Sequence, residues 1–196
     1  MKYSQQIIKS LKEGGVGVVP TDTVYGIVCS ALNEKSVEKV YEIRRRRPDK
    51  PCIILIADIS DLSLFGIEID SPNSQVTKQL IGRLWPGPVS IVLPCNKEEL
   101  SYLHRGTNTL AFRLPANEDL RATLREAGPL IAPSANPEGQ APSVTIEKAR
   151  EYFSDSVDFY EDAGPRTGEP STVVSVENGR IRILRQGSAI IPAELL

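Results

Sequence analysis

Val37-Glu38-Lys39-Val40-Tyr41-Glu42-Ile43-Arg44-Arg45-Arg46-Arg47-Pro48-Asp49-Lys50-Pro51-Cys52-Ile53-Ile54-Leu55-Ile56-Ala57 decides the fold class, because its hydrophobic pattern changes character within a few residues. Val37, Val40 and Tyr41 recur at helical spacing, and Asn33 is placed to cap that helix. Pro48 forces the helix to end, since proline disfavours helical geometry in the residue before it. Residues 52–57 are then a continuous apolar run of strand length, as expected of a strand buried on both faces. Between helix and strand stand four consecutive arginines and Lys50. A helix C-terminus favours cations through its dipole, which accounts for one or two of these charges but not five. On a chain of net charge −2, so much positive charge beside a buried strand points to an anionic ligand, a polyphosphate first.

The alternation continues on both sides. Ile7, Ile8 and Leu11 share a helical face, Gly14 and Gly15 supply a stop, and residues 16–19 read as a short buried strand. Downstream, Ser71-Pro72 reads as the N-cap and first-turn pair of a helix through Val76, Leu80 and Leu84, which Trp85-Pro86-Gly87-Pro88 closes as rigid scaffold. Residues 89–93, 109–114 and 130–132 are strand candidates, 118–127 a helix stopped by Gly128, and Thr145 caps a helix reaching Phe153. Residues 171–176 and 180–185 flank Asn178-Gly179, a strong hairpin signal. The expectation is an α+β fold, a mixed twisted sheet flanked by helices rather than a purely parallel doubly wound one, with residues 1–196 as one domain.

Composition excludes several functions. A slightly acidic chain of 196 residues does not coat nucleic acid nonspecifically, because that mode needs a broadly basic surface. Cys29, Cys52 and Cys95 form no C-x-x-C pair and His104 is the sole histidine, so no zinc site or disulfide framework is expected and His104 receives no catalytic role. The N-terminus has no apolar signal core and no stretch approaches the roughly 20 apolar residues of a membrane span. A cytoplasmic protein without membrane contact is expected. The P-loop, the dinucleotide fingerprint and the nucleophile elbow are missing, so a nucleotide site here must be built differently.

Four segments could build it, each with a plainer reading. Residues 20–26 place Thr21, Asp22, Thr23 and Tyr25 directly after a strand, where open α/β sheets hold ligands, although such residues also make ordinary polar turns. Arginines at 45–47 can grip phosphate in bidentate fashion with Lys50 as a mobile point charge, or can decorate a solvated helix end. Strict alternation puts Thr109, Ala111 and Arg113 on one strand face, towards a ligand or towards solvent. Ser134, Asn136 and Ser143 lie in a loop after a strand and suit either a phosphate, a base edge or a turn. The segment 162–170, rich in glycine and proline, reads as a surface loop or a lid.

In order along the chain, Pro20-Thr21-Asp22-Thr23-Val24-Tyr25-Gly26, the basic motif at 45–50, Trp85-Pro86-Gly87-Pro88, residues 110–113 and Ser134-Ala135-Asn136 resemble the YrdC/Sua5 family of threonylcarbamoyl-AMP synthases. The resemblance spans residues 16–185, and the extra C-terminal domain of longer members is not expected here. It implies a YrdC/RibB-like fold with a concave, positively lined cleft, and ATP-dependent synthesis of threonylcarbamoyl-AMP from L-threonine and bicarbonate with release of pyrophosphate. That is the first step of tRNA threonylcarbamoyladenosine modification. It implies Mg2+ with the ATP, carried mainly by the phosphates with no protein metal ligand, and a tRNA or a downstream threonylcarbamoyl-transfer complex as further partner.

By the same resemblance Thr21, Tyr25, Arg113 and Ser171 take the threonine. Arg45, Arg47 and Lys50 hold the triphosphate and act in catalysis, while Thr109, Ser134, Asn136, Ser143 and Arg185 complete the nucleotide site. Arg45 stands where the family usually shows lysine, and Glu138 where the loop after Ser134-Ala135-Asn136 usually offers serine. The alternative function is a YrdC-like RNA-binding protein without adenylate-forming activity, using Arg44 to Arg47 on an RNA backbone.

Overall fold

A computed structural model describes residues 3–70, 74–177 and 180–196. Helix α1 (Gln5–Lys12) starts where Ser4 Oγ accepts the Ile7 N–H, and buries Ile7, Ile8 and Leu11. Helix α2 (Glu34–Arg44) is capped by Asn33, whose side chain accepts the Ser36 N–H at 3.1 Å, and buries Val37, Val40 and Tyr41. It ends at Arg44 because Arg45 turns left-handed, with φ 50°. Helix α3 (Gln75–Leu84) follows, although its expected N-cap pair Ser71-Pro72 lies outside the described residues. A short α4 (Ser101–His104) precedes α5 (Glu118–Ala127, capped by Asn117) and α6 (Ile146–Phe153, capped by Thr145). Among the described residues no helix is long and apolar enough to cross a membrane.

The strands are β1 (Gly17–Pro20), β2 (Tyr25–Ser30), β3 (Ile53–Leu55), β4 (Val89–Pro94), β5 (Thr109–Arg113), β6 (Leu130–Ile131), β7 (Phe159–Tyr160), β8 (Thr172–Glu177) and β9 (Arg180–Arg185). They form one sheet in the order β7-β1-β2-β6-β3-β5-β4-β8-β9. Three pairs are parallel (β1 with β7, β3 with β5, β4 with β8) and the others antiparallel, which makes the sheet mixed. Asn178-Gly179 lies outside the described residues, but the two strands that flank it pair antiparallel. The sequence reading did not anticipate β2, a fully interior strand. Its apolar run is interrupted by Gly26 and preceded by Thr-Asp-Thr, and both features weaken a strand signal.

Alternation along the strands sorts the core into two layers. On one face Ile27, Ile54, Ile91, Leu110 and Phe112 pack against Val37 and Val40 of α2, Leu80 of α3 and Phe153 of α6. Phe112 meets the edge of Phe65 with ring centroids 5.0 Å apart. On the other face Val19, Val28, Leu55 and Leu130 pack under α1 and α5, through Ile7, Leu11, Leu120 and Leu124. Those two helices reach only the β1-β2-β6-β3 half of that face. Beyond Leu55, the same face over β5, β4, β8 and β9 forms the floor of a cavity.

Candidate functional site

The cavity encloses about 560 Å³, and Ile53, Val92, Thr109, Ala111, Arg113 and Val173 are among its floor residues. The expected alternation on β5 therefore points Thr109, Ala111 and Arg113 at the cavity while Leu110 and Phe112 enter the core. Its walls come from distant segments: the turn after β1, the exit of α2, the loop after β6 and the start of β8 beside the end of β9.

The turn after β1 is held by its own side chains. Thr21 Oγ1 donates to Val24 O at 2.6 Å and accepts the N–H groups of Thr23 and Val24. The plain turn reading is satisfied, and the same bonding fixes Thr21 and Thr23 at the cavity wall. Arg113 reaches the turn from β5, donating to Thr23 Oγ1 at 3.2 Å and to Asp22 Oδ1 at 2.8 Å. The residue is 4% exposed, and burial followed by the opposing effect of Asp22 sets its guanidinium below the ordinary arginine range. Arg113 Nε is buried and has no hydrogen-bond partner.

At the exit of α2 the arginines point different ways. Arg44 is buried, donates from Nε to Asn136 O at 2.9 Å and leaves one terminal nitrogen buried without a partner. Its guanidinium is pushed down to about 10 by burial and then by the neighbouring charge of Arg46. Arg46 is fixed along the chain exit by bonds to Lys50 O (3.0 Å) and Pro51 O (2.8 Å). Both line the cavity, as does Lys50. Arg45 and Arg47 do not. The left-handed backbone at Arg45 turns its side chain into solvent, and Arg47 is exposed and pairs with Asp49 at 2.6 Å.

The loop after β6 is pinned at both ends. Ser134 bridges to Gly26 of β2, and Ser143, fully buried, donates to Ala135 O at 2.5 Å. Ser143 therefore closes the loop from beneath and does not line the cavity. Asn136, 6% exposed, spends its amide N–H groups on Pro137 O and Gln140 O and leaves Oδ1 without a partner. Glu138 accepts the Arg47 N–H at 2.6 Å and the Lys50 ammonium at 3.3 Å. Tyr25, expected beside the threonine, instead anchors the 162–170 segment: its hydroxyl accepts the Ala163 N–H and donates towards Gly164 O at 2.8 Å. Where β8 starts beside the end of β9, Arg185 donates to Ser171 O at 2.7 Å, and Ser171 Oγ meets Ser90 Oγ at 2.9 Å.

Of the site residues expected from the sequence, Thr21, Lys50, Thr109, Arg113, Ser134, Asn136, Ser171 and Arg185 line one cavity, and Tyr25, Arg45, Arg47 and Ser143 do not. Thr23 and Arg46, candidates within the 20–26 and 45–47 segments, line it too, as do Arg44 and Glu138, to which no part in the nucleotide site was assigned. The helical period offered a signal for Arg44, which follows Val37, Val40 and Tyr41 on the buried face, but none for Arg46, which lies beyond the helix. Arg44, Arg46, Lys50, Arg113 and Arg185 face the single carboxylate of Glu138 among the lining residues. Arg46 in turn helps burial hold Arg185 below its ordinary range. Such a cluster of like charges is relieved by a polyanion. His104 is buried in α4, where Nδ1 accepts the Gly106 N–H, away from the cavity lining.

A family model for Sua5, YciO and YrdC, described as Telomere recombination, matches residues 9–187. A threonylcarbamoyl-AMP synthase of Bacillus subtilis is 36% identical over 180 residues, covering 90% of this chain and 51% of its own. One of Idiomarina loihiensis is 34% identical over 169 residues, 85% of this chain and 90% of its own. The structure of Pyrococcus abyssi Sua5 complexed with L-threonine matches with a TM-score of 0.82 at 32% identity, over 93% of this chain and 53% of that one. The chain thus spans about half the length of the Bacillus and Pyrococcus proteins.

Proposed function

Because this chain belongs to the Sua5/YciO/YrdC family, we propose that it is, as a single domain, an L-threonylcarbamoyladenylate synthase. It joins L-threonine, bicarbonate and ATP into threonylcarbamoyl-AMP and pyrophosphate. The observation that carries this reading is the Arg113 guanidinium, buried at the cavity floor with Nε unpartnered, hydroxyls of Thr21 and Thr23 on one side and a cation cluster on the other. A small hydroxyl-bearing amino acid suits the first side: Arg113 binds its carboxylate, and Thr21 with Ser171 meets its polar groups. A nucleotide suits the second. Arg44, Arg46 and Lys50 take the triphosphate, and Thr109, Ser134, Asn136 and Arg185 the rest of the nucleotide. Arg45 and Arg47 would need to swing inward to contribute.

In the reaction bicarbonate takes up a proton and loses water to give carbon dioxide; the threonine amine adds to it, releases a proton to solvent and becomes a carbamate. A carbamate oxygen then attacks the α-phosphorus in line, and the bond to the bridging oxygen breaks to release pyrophosphate. The chain need move no proton of its own. Its residues align carbamate and phosphate and neutralise developing charge, and alignment alone can supply roughly 7–11 kcal/mol. Magnesium would polarise the phosphates. Glu138 is already engaged by Lys50 and the Arg47 N–H, so the lining fits an ion carried by ATP rather than one held by the chain.

The adenylate would pass to a tRNA-modifying transferase, and the setting is the cytoplasm, in keeping with three free buried cysteines. The test is mass-spectrometric detection of threonylcarbamoyl-AMP after incubation with the three substrates. Product formed only when all are present is expected. AMP and pyrophosphate released equally without threonine would overturn the reading.

A further inference from the structure

Glu138 is an acid among the cations of a cavity suited to polyphosphate. Its carboxylate sits on two donors at once, the Arg47 N–H at 2.6 Å and the Lys50 ammonium at 3.3 Å. Its own N–H donates to Arg44 O at 2.8 Å, so the loop after β6 is tied to the exit of α2 by backbone as well as side chain. The Lys50 ammonium lines the cavity and is the kind of donor that binds a phosphate oxygen. The other charges facing Glu138 are basic: Arg46 and Lys50 draw it further into its charged form. Asp49 occupies the Arg47 side chain with two bonds, at 3.1 and 2.6 Å, so that guanidinium is not turned towards Glu138.

We propose that Glu138 is an internal anion that competes with the nucleotide's phosphates for Lys50, and so sets how tightly this chain holds ATP. The inference rests on the nucleotide reading of the cavity. While ATP is absent, Glu138 keeps the 45–50 turn folded onto the loop. When a triphosphate enters, its oxygens take Lys50, and the partly exposed carboxylate, 22% accessible at its side chain, turns towards solvent. Repulsion between the carboxylate and a polyphosphate adds to the cost of that exchange. Glu138 acts through its neighbours, as a positioning residue.

The experiment is calorimetric titration of ATP with magnesium, and separately of L-threonine, into wild type, Glu138→Gln, Glu138→Asp, Lys50→Met and the Glu138→Gln/Lys50→Met double variant. Glu138→Gln is expected to bind ATP about five- to tenfold tighter, the effect of removing one nearby like charge, with threonine affinity unchanged. Glu138→Asp should return towards wild type. Adding Lys50→Met should erase most of the gain, because the competition is for that ammonium. A folded Glu138→Gln protein that binds ATP equally or more weakly, while wild type binds it, overturns this inference alone. Should Glu138→Gln fail to fold, Glu138→Ser is read by the same criterion. A wild type that binds no ATP overturns the nucleotide reading itself.

Discussion

Arg113 and Asp22 lie 91 positions apart and meet at 2.8 Å, with their side chains only 5% and 10% exposed. The pair joins the centre of the sheet to the turn after β1 and, with the Arg113 bond to Thr23 Oγ1, fixes one wall of the cavity against its floor. Arg113→Met should destabilise the fold by about 3–5 kcal/mol, because it leaves a mostly buried carboxylate without its partner. Denaturant unfolding reads that loss. Threonine should cease to stimulate pyrophosphate release even where the variant is kept folded at low temperature.

The four arginines divide by backbone geometry, and two kinds of substitution separate them. Arg45 holds φ 50°, a left-handed conformation that glycine adopts more cheaply. Arg45→Gly is therefore expected to stabilise the protein by about 1 kcal/mol and to retain ATP binding. Arg44→Ala and Arg46→Ala should each weaken ATP binding by about 1.5–3 kcal/mol, the worth of a hydrogen bond to a charged group. Equal losses from Arg45→Ala and Arg44→Ala would refute the division.

That division also marks where the sequence stops being legible. Helix faces were readable because Val37, Val40 and Tyr41, like Ile7, Ile8 and Leu11, repeat at a period that only one burial pattern satisfies. The β5 face was readable for the same reason at period two. Which arginines reach the cavity depended on the residue at which α2 ends, and a helix end shifts by a residue or two without any change in composition. The β2 strand was hidden by Gly26, whose place against Thr21 and the 133–134 backbone is a tertiary fact. Tyr25 and Ser143 kept their polar groups near the cavity in sequence, yet the chain spends both hydroxyls on holding loops.

The 162–170 segment packs onto the same turn as Arg113. A Cβ built on Gly168 would lie 2.4 Å from Thr23 O, too close for any side chain and opposed by backbone that cannot rotate away. Gly168→Ala should cost about 1–3 kcal/mol. It should also raise KM for threonine more than KM for ATP, because the displaced turn carries Thr21 and Thr23. Steady-state kinetics with each substrate varied in turn checks the asymmetry.

Acid should loosen the tie between α2 and the loop after β6. The Arg47 N–H, then Lys50, holds the Glu138 carboxyl below its ordinary value against a small opposing effect of burial. A carboxylate whose folded pKa is depressed binds fewer protons folded than unfolded. Its contribution to stability is therefore complete above the usual glutamate pKa of about 4.3 and is lost as pH falls through the lowered value. Carbon-detected NMR titration should find Glu138 titrating below the ordinary glutamate value. Urea unfolding of Glu138→Gln should then show a shallower loss of stability than wild type between about pH 5 and 3. Parallel acid limbs for the two proteins would show that the carboxylate is not held by those donors in solution, and with that the basis for its competition with phosphate would be gone.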